Sequence, residues 1–242
     1  MGYSANALTF ASDLEYRVDE NEAPDTTLST RKTWLTKNSL KYQVNPSWRL
    51  IAKFNHSNSS STQGEFYDGN YTEAVVGYAF RPINNDRLNA LVKYTYFYNL
   101  PTAGQVTIDN TAAQYIQKSN IVSTDVSWDM TSRWTLGAKI AFRMGELSQD
   151  RVNPQFFQSR AQLYILRADW HVLRRWDWLI EGRVLALPDA KDRRSGFLTG
   201  VYRHLGNNLK VGVGYNFTSF SDDLTDYSFT SQGVFINAVG KF

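Results

Sequence analysis

"TSRWTLGAKIAFRMG", residues 131–145, is a stretch with two unlike faces. Trp134, Leu136, Ala138, Ile140 and Phe142 share one parity, while Arg133, Thr135, Lys139 and Arg143 share the other, with Gly137 and Ala141 between them. Successive side chains of a β-strand point to opposite sides of the sheet. The stretch therefore reads as one strand with an apolar face and a charged face. What the apolar face meets decides between a soluble barrel and a membrane barrel.

The same alternation recurs along the chain. Twelve segments carry it, at about 6–18, 30–44, 48–57, 71–81, 87–98, 114–129, 133–143, 157–172, 176–186, 195–205, 209–217 and 228–242. Many exceed the roughly five or six residues of an ordinary soluble strand and match the roughly 9–11 tilted residues that cross a bilayer. The connections alternate in length: "NPS" (45–47), "PINND" (82–86), "MTS" (130–132), "LRR" (173–175) and "GNN" (206–208) are short. Those at 19–29, 58–70, 99–113, 144–156, 187–194 and 218–227 are long. All six prolines, Pro24, Pro46, Pro82, Pro101, Pro154 and Pro188, fall in connections, where the missing N–H breaks no ladder. An up-and-down barrel trimmed at one end and elaborated at the other gives this pattern, as do outer-membrane barrels with short periplasmic turns and long extracellular loops. "PSWRLIAKF", "SRWTLGAKI" and "NNLKVGVGY" each open a strand after a short turn, a hairpin-like repeat.

Composition agrees. The 242 residues are 14% aromatic and 20% charged, with a formal net charge of +3, and the mean hydropathy is −0.43. No run approaches the roughly 18 apolar residues of a membrane helix, which leaves a barrel open because its strands alternate. There is no cysteine, hence no disulfide framework or thiolate metal site. The start, "MGYSANAL", lacks the basic and apolar regions of a signal peptide. The expectation is a mature or trimmed chain, or a domain cut from a longer precursor, folded as one domain over 1–242.

Parity then assigns the faces. All seven tryptophans, Trp34, Trp48, Trp128, Trp134, Trp170, Trp176 and Trp178, are even-numbered. So are Leu14, Tyr16, Leu50, Phe54, Val76, Tyr78, Val92, Tyr94 and Leu166. The odd face carries Arg17, Lys37, Lys41, Arg49, Lys53, Arg87, Lys93, Lys139, Arg143, Arg167, Arg183 and Arg203, with the acids Asp13, Glu15, Glu73, Asp125, Asp169, Asp177 and Glu181. Lys32 and Lys118 break the rule and are expected near strand ends. A two-residue "NN" turn is expected to invert the parity, which makes Leu209, Val211, Val213, Tyr215 and Phe217 the apolar set of the next strand, and the last connection restores it for Val234, Ile236, Ala238 and Phe242.

A barrel of about twelve strands has a bore wider than an eight-stranded one, which side chains just fill. Dry burial of charges of both signs costs roughly several kcal/mol per ion. A hydrated lumen lined by the nineteen charged residues, with lipid against the apolar face, avoids that cost. Trp48, Trp128, Trp134, Trp170, Trp176 and Trp178 lie within about five residues of a short connection and Trp34 about ten from one, which suits two aromatic girdles at the membrane interfaces.

The carboxyl end adds a resemblance. "GVFINAVGKF" closes on Phe242 and looks like the terminal β-signal of bacterial outer-membrane proteins. The longer stretch "LGNNLKVGVGYNFTSFSDDLTDYSFTSQGVFINAVGKF" (205–242) resembles the end of C-terminal barrel domains on large, multidomain Gram-negative surface proteins. The resemblance implies insertion by the barrel assembly machinery, contact with outer-membrane lipids including lipopolysaccharide, and N-terminal domains or a periplasmic or surface partner. It brings no catalytic residues.

Two functions stay open: a membrane anchor or translocator module, and a narrow anion-preferring channel lined by the net-basic face. His56, in "FNHSNSSS" (54–61), is the one candidate general base for an outer-leaflet lipid hydrolase, against its reading as a rim histidine. His171 and His204 read as interfacial. Asp222, Asp223 and Asp226 could bind Ca²⁺, but their spacing is not that of an EF-hand. No cofactor, metal or nucleic-acid site is expected: most basic residues fall on the lumen face, not on an exposed patch.

Overall fold

In a computed structural model, described for residues 2–5, 7–22, 28–62, 68–100, 116–151, 153–206, 209–220, 222, 224 and 232–240, the chain forms strands alone. They are β1 (Gly2–Ala5), β2 (Leu8–Glu22), β3 (Leu28–Asn45), β4 (Trp48–Ser61), β5 (Gly69–Phe80), β6 (Leu88–Leu100), β7 (Ile116–Asp129), β8 (Trp134–Ser148), β9 (Phe157–Leu173), β10 (Trp176–Leu187), β11 (Asp192–Leu205), β12 (Leu209–Asn216) and β13 (Gly233–Gly240). They follow chain order in one sheet, β1 to β13, with antiparallel pairing wherever a register is described. Among the described residues no pairing joins β1 to β13, so the sheet is not closed there. The chain divides into two compact units. One comprises 1–79, 93–122 and 144–159, and the other 80–92, 123–143 and 160–242.

Among the described residues the count is thirteen strands, not twelve. The extra one, "GYSA", folds back on β2 with Tyr3 opposite Phe10. Four residues are too few to display a period, which is why the pattern begins only after it. The strands also outrun the alternating segments. β3 has 18 residues and β4 runs on through "HSNSSS", because its polar side chains find partners across the ladder. Thr33 and Ser59 hydroxyls lie 2.6 Å apart, and the Thr30 amide donates to Thr62 Oγ1 at 3.0 Å. The long connections are correspondingly shorter.

Tight turns are fixed by side-chain acceptors. Asn45 Oδ1 accepts the amides of Ser47 and Trp48, each at 3.0 Å, and Thr131 Oγ1 does the same for Arg133 and Trp134. Both satisfy amides that a chain reversal would otherwise orphan. At 188–191 a turn closes with Lys191 at φ +52° and its amide on Pro188 O.

That turn carries the main correction to the register. Leu187 faces Asp192, and the pairing continues Glu181 to Leu198 and Trp176 to Arg203. Odd residues of β10 are thus opposite even residues of β11. The parity inverts at 188–191, not at "GNN": Leu205 faces Leu209, which preserves it into β12. It reverts between β12 and β13, where Tyr215 faces Val234. The apolar sets expected for the last two strands hold, but the slip lies one hairpin earlier.

The two faces differ in exposure. Leu14, Trp34, Leu166 and Ile236 stand open on the apolar face, Leu166 at 71% and Ile236 at 80%. In the second unit the buried residues, among them Arg143, Leu163, Ile165, Asp177, Leu179, Glu181, Arg183, Leu185 and Tyr202, belong to the opposite face.

Candidate functional site

The charged face of the second unit holds the densest polar arrangement. Asp177, 2% exposed, is one carboxylate with three donors. His171 Nδ1 donates to Oδ1 at 2.6 Å, while His204 Nε2 and Lys210 Nζ reach Oδ2 at 2.7 and 2.5 Å. A carboxylate only accepts, so each imidazole carries its proton on the bonded nitrogen. The register makes the cluster: Asp177 pairs with His171 on β9, and His204 with Lys210 across β11 and β12. One acid thus ties four consecutive strands. Lys210 also lies 4.9 Å over the Tyr202 ring, and Tyr202 is packed over Gly212, where a Cβ would meet the ring at 2.2 Å.

A second feature lies beyond β12. Thr218, Phe220 and Leu224 are buried. Thr218 fills the notch left by Gly196, where a Cβ would come within 2.4 Å of its Oγ1. Lys139 Nζ donates to Asp222 O at 2.7 Å, and Arg143, 1% exposed, donates to Leu224 O at 2.9 Å. These residues lie against β8 instead of projecting from the sheet. On the same face, Ala161, Leu163, Ile165 and Leu185 are buried at odd positions of β9 and β10. These buried aliphatics on the charged face were not anticipated from the sequence. Their signal was the run of odd-numbered aliphatics in "RAQLYILRADW", joined to Phe220 and Leu224 in a stretch read only as acidic.

The other predicted face residues separate into three groups. Arg143, Asp177, Glu181 and Arg183 are buried, and Glu181 pairs with Arg183. Glu73, Lys93, Asp125, Lys139 and Asp169 are half-buried. Asp13, Glu15, Arg17, Lys37, Lys41, Arg49, Lys53, Arg87 and Arg167 are exposed. Short-range pairs neutralise several acids: Lys53–Glu73 at 2.8 Å, Arg167–Asp169 at 2.8 Å and Arg17–Asp19 at 2.9 Å. Exposed pairs of this kind are worth about 0–1 kcal/mol each, so they shape the field more than they stabilise the fold. Arg203 does not share this face. It pairs with Trp176, and its guanidinium carbon lies 5.4 Å from that ring's centroid on the apolar side, because of the parity slip at 188–191. His171 and His204, read as interfacial, lie on the charged face with Asp177.

The tryptophans gather on the apolar face. Trp134 and Trp170 stack at 5.4 Å and 4°, Trp170 and Trp178 approach to 6.2 Å, and Trp178 Nε1 donates to Thr199 Oγ1 at 2.8 Å. In the other unit Trp48 stacks on Tyr78 at 4.6 Å and Trp34 tilts on Tyr16 at 4.4 Å. Trp128 is exposed. Lys118, at a strand end as expected, pairs with Glu146 at 2.6 Å. Outside the strands, Asp189 is held by Arg160 through its side chain, at 2.6 and 2.9 Å, and its backbone amide; these bonds keep the Asp189 carboxyl below its usual range.

His56 Nδ1 bonds Thr72 Oγ1 at 2.9 Å and its ring stacks on Phe54. Asp222 is exposed, while Asp223, Asp226 and the terminal Phe242 lie outside the described residues. Among the described residues no three His, Asp or Glu side chains converge as metal ligands.

No protein-family model matches the sequence, and no curated protein does. Solved structures are similar in fold. The siderophore receptor PirA from Pseudomonas aeruginosa aligns at TM-score 0.59 and 11% identity, over 88% of this chain and 38% of that one. FpvA of P. aeruginosa, solved with heterologous pyoverdines, aligns at 0.54 and 12%, over 87% and 38%. A looser likeness, TM-score 0.47 at 10% identity, covers 95% of this chain and 100% of the NanC porin. The chain thus spans 38% of the length of each of the two receptors. The fold that the two receptor likenesses define is that of the bacterial outer-membrane β-barrels. This chain has that fold.

Proposed function

We propose that this chain crosses the outer membrane as a closed barrel and serves as a membrane anchor, its interior substantially filled by its own side chains. The observation that carries the reading is the packing on the charged face of β8–β12, where Arg143, Leu163 and Thr218 are buried and Lys139 and Arg143 hold the backbone at Asp222 and Leu224. In hydrocarbon each unpaired backbone group costs several kcal/mol, a cost that strands avoid only in a closed barrel. The exposed apolar face, with Leu14, Leu166 and Ile236, suits acyl chains. Lipids, lipopolysaccharide among them, and the assembly machinery are the partners this reading implies, as are surface or periplasmic parts carried by the anchor. No catalytic role is assigned to His56, whose Nδ1 bonds a threonine and not an acid.

A channel is the second reading, favoured by the exposed cations Lys37, Lys41, Arg49 and Lys53 on the charged face. Recordings across planar bilayers separate the two. The folded protein is expected to give no steady conductance steps. Steady anion-selective steps, lost when Arg49 and Arg143 are made neutral, would overturn the anchor and establish the channel.

A further inference from the structure

We propose that the short-turn rim of β9–β11 binds the phosphate of an anionic glycerophospholipid, gripped by Arg174, Arg175 and Arg203 beside a tryptophan shelf. The inference rests on the membrane reading above and goes beyond it by naming a ligand and its site.

Arg203 is a cation on the apolar side of the sheet. At mid-bilayer such a residue costs about 2–4 kcal/mol, but near the interface only about 0–1. Arg203 lies two residues from the end of β11, next to the short connection. The turn formed by Arg174 and Arg175 is its direct neighbour, since the His204 amide donates to Arg175 O at 2.9 Å. All three arginines are exposed. Among the described residues none of them pairs with a carboxylate. The acid beside them, Asp177, sits on the opposite face with both oxygens taken by His171, His204 and Lys210. The protein therefore brings three guanidinium groups to one edge and leaves their counter-charge to come from outside.

The surroundings select which anion. Trp176 lies under Arg203, and Trp178, Trp170 and Trp134 continue the apolar shelf. Indole rings favour the headgroup level, where glycerol and the first acyl carbons meet them. Guanidinium forks match phosphate oxygens two at a time. Phosphate above and an acyl chain below are joined covalently in a phospholipid and absent from a free anion.

Tryptophan quenching in vesicles tests the proposal on the full chain. Brominated phosphatidylglycerol and brominated phosphatidylcholine are compared at equal mole fraction. Phosphatidylglycerol is expected to be enriched about fivefold beside the shelf, the equivalent of one arginine's attraction to an anionic surface. The enrichment should vanish in R174Q/R175Q/R203Q, whose folded gel mobility should be unchanged; should that variant fail to fold, Arg203→Gln alone must at least halve it. Equal quenching by the two lipids, or enrichment that survives the substitutions, overturns the site. Loss of enrichment on adding inorganic phosphate at constant ionic strength assigns the site to a free anion and overturns the lipid. Failure of the unmodified chain to insert into any vesicle is a separate result and defeats the membrane reading itself.

Discussion

Asp177 shows what one residue does here. Its carboxylate is almost fully covered, and its partners, His171, His204 and Lys210, come from three other strands. Removing one member of a buried charged cluster leaves the rest uncompensated, at about 3–5 kcal/mol. The donors here are partly exposed to water, which favours the lower figure. Asp177→Ala is expected to destabilise the fold by about 3 kcal/mol, read as a lower urea midpoint for the loss of folded gel mobility. The charge of Asp177 and its face were legible in the sequence. The cluster was not, because His204 comes onto that face only through a register slip at 188–191 that has no compositional marker.

At the scale of elements, period-two alternation located twelve strands and failed at two kinds of place. It stopped short where Ser, Asn and Thr continue a ladder, as in "HSNSSS", since those residues read as loop until a partner strand supplies Thr33 to Ser59. It also misplaced the inversion, because a turn's phase depends on its closing pair, Leu187 with Asp192, and not on its composition. Across β11 to β13, glycine and aromatic interlock: Tyr202 occupies the space over Gly212, and Phe235 that over Gly214. Gly212→Ala drives a methyl into the Tyr202 ring and is expected to cost about 1–3 kcal/mol, the range for overpacking. Adding Tyr202→Ala should make the double variant less destabilised than the two single effects summed. Additive effects would mean that the ring and the glycine are not in contact.

For the molecule as a whole, the separation of a greasy, Trp-bearing side from an ionic side was legible in most strands because it repeats from one to the next; β11, with its inverted parity, was the exception. The burial of Phe220 and Leu224 was not legible, since it goes with long-range bonds from Lys139 and Arg143 to the backbone at Asp222 and Leu224. Leu166, mid-strand in β9, decides what the apolar side meets. In water, an arginine at so exposed a position would shift stability by no more than about 0.5 kcal/mol. In hydrocarbon, Leu166→Arg is expected to cost about 2–4 kcal/mol, measured as the equilibrium of folding into vesicles. An effect near zero would mean that no acyl chains lie there.

The slip at 188–191 and its reversal after β12 cancel. β10 and β13 therefore keep the same odd-even code, and the hairpin of β11 and β12 is bracketed by two opposite half-steps. Excising or duplicating that hairpin is expected to leave the faces of every remaining strand unchanged.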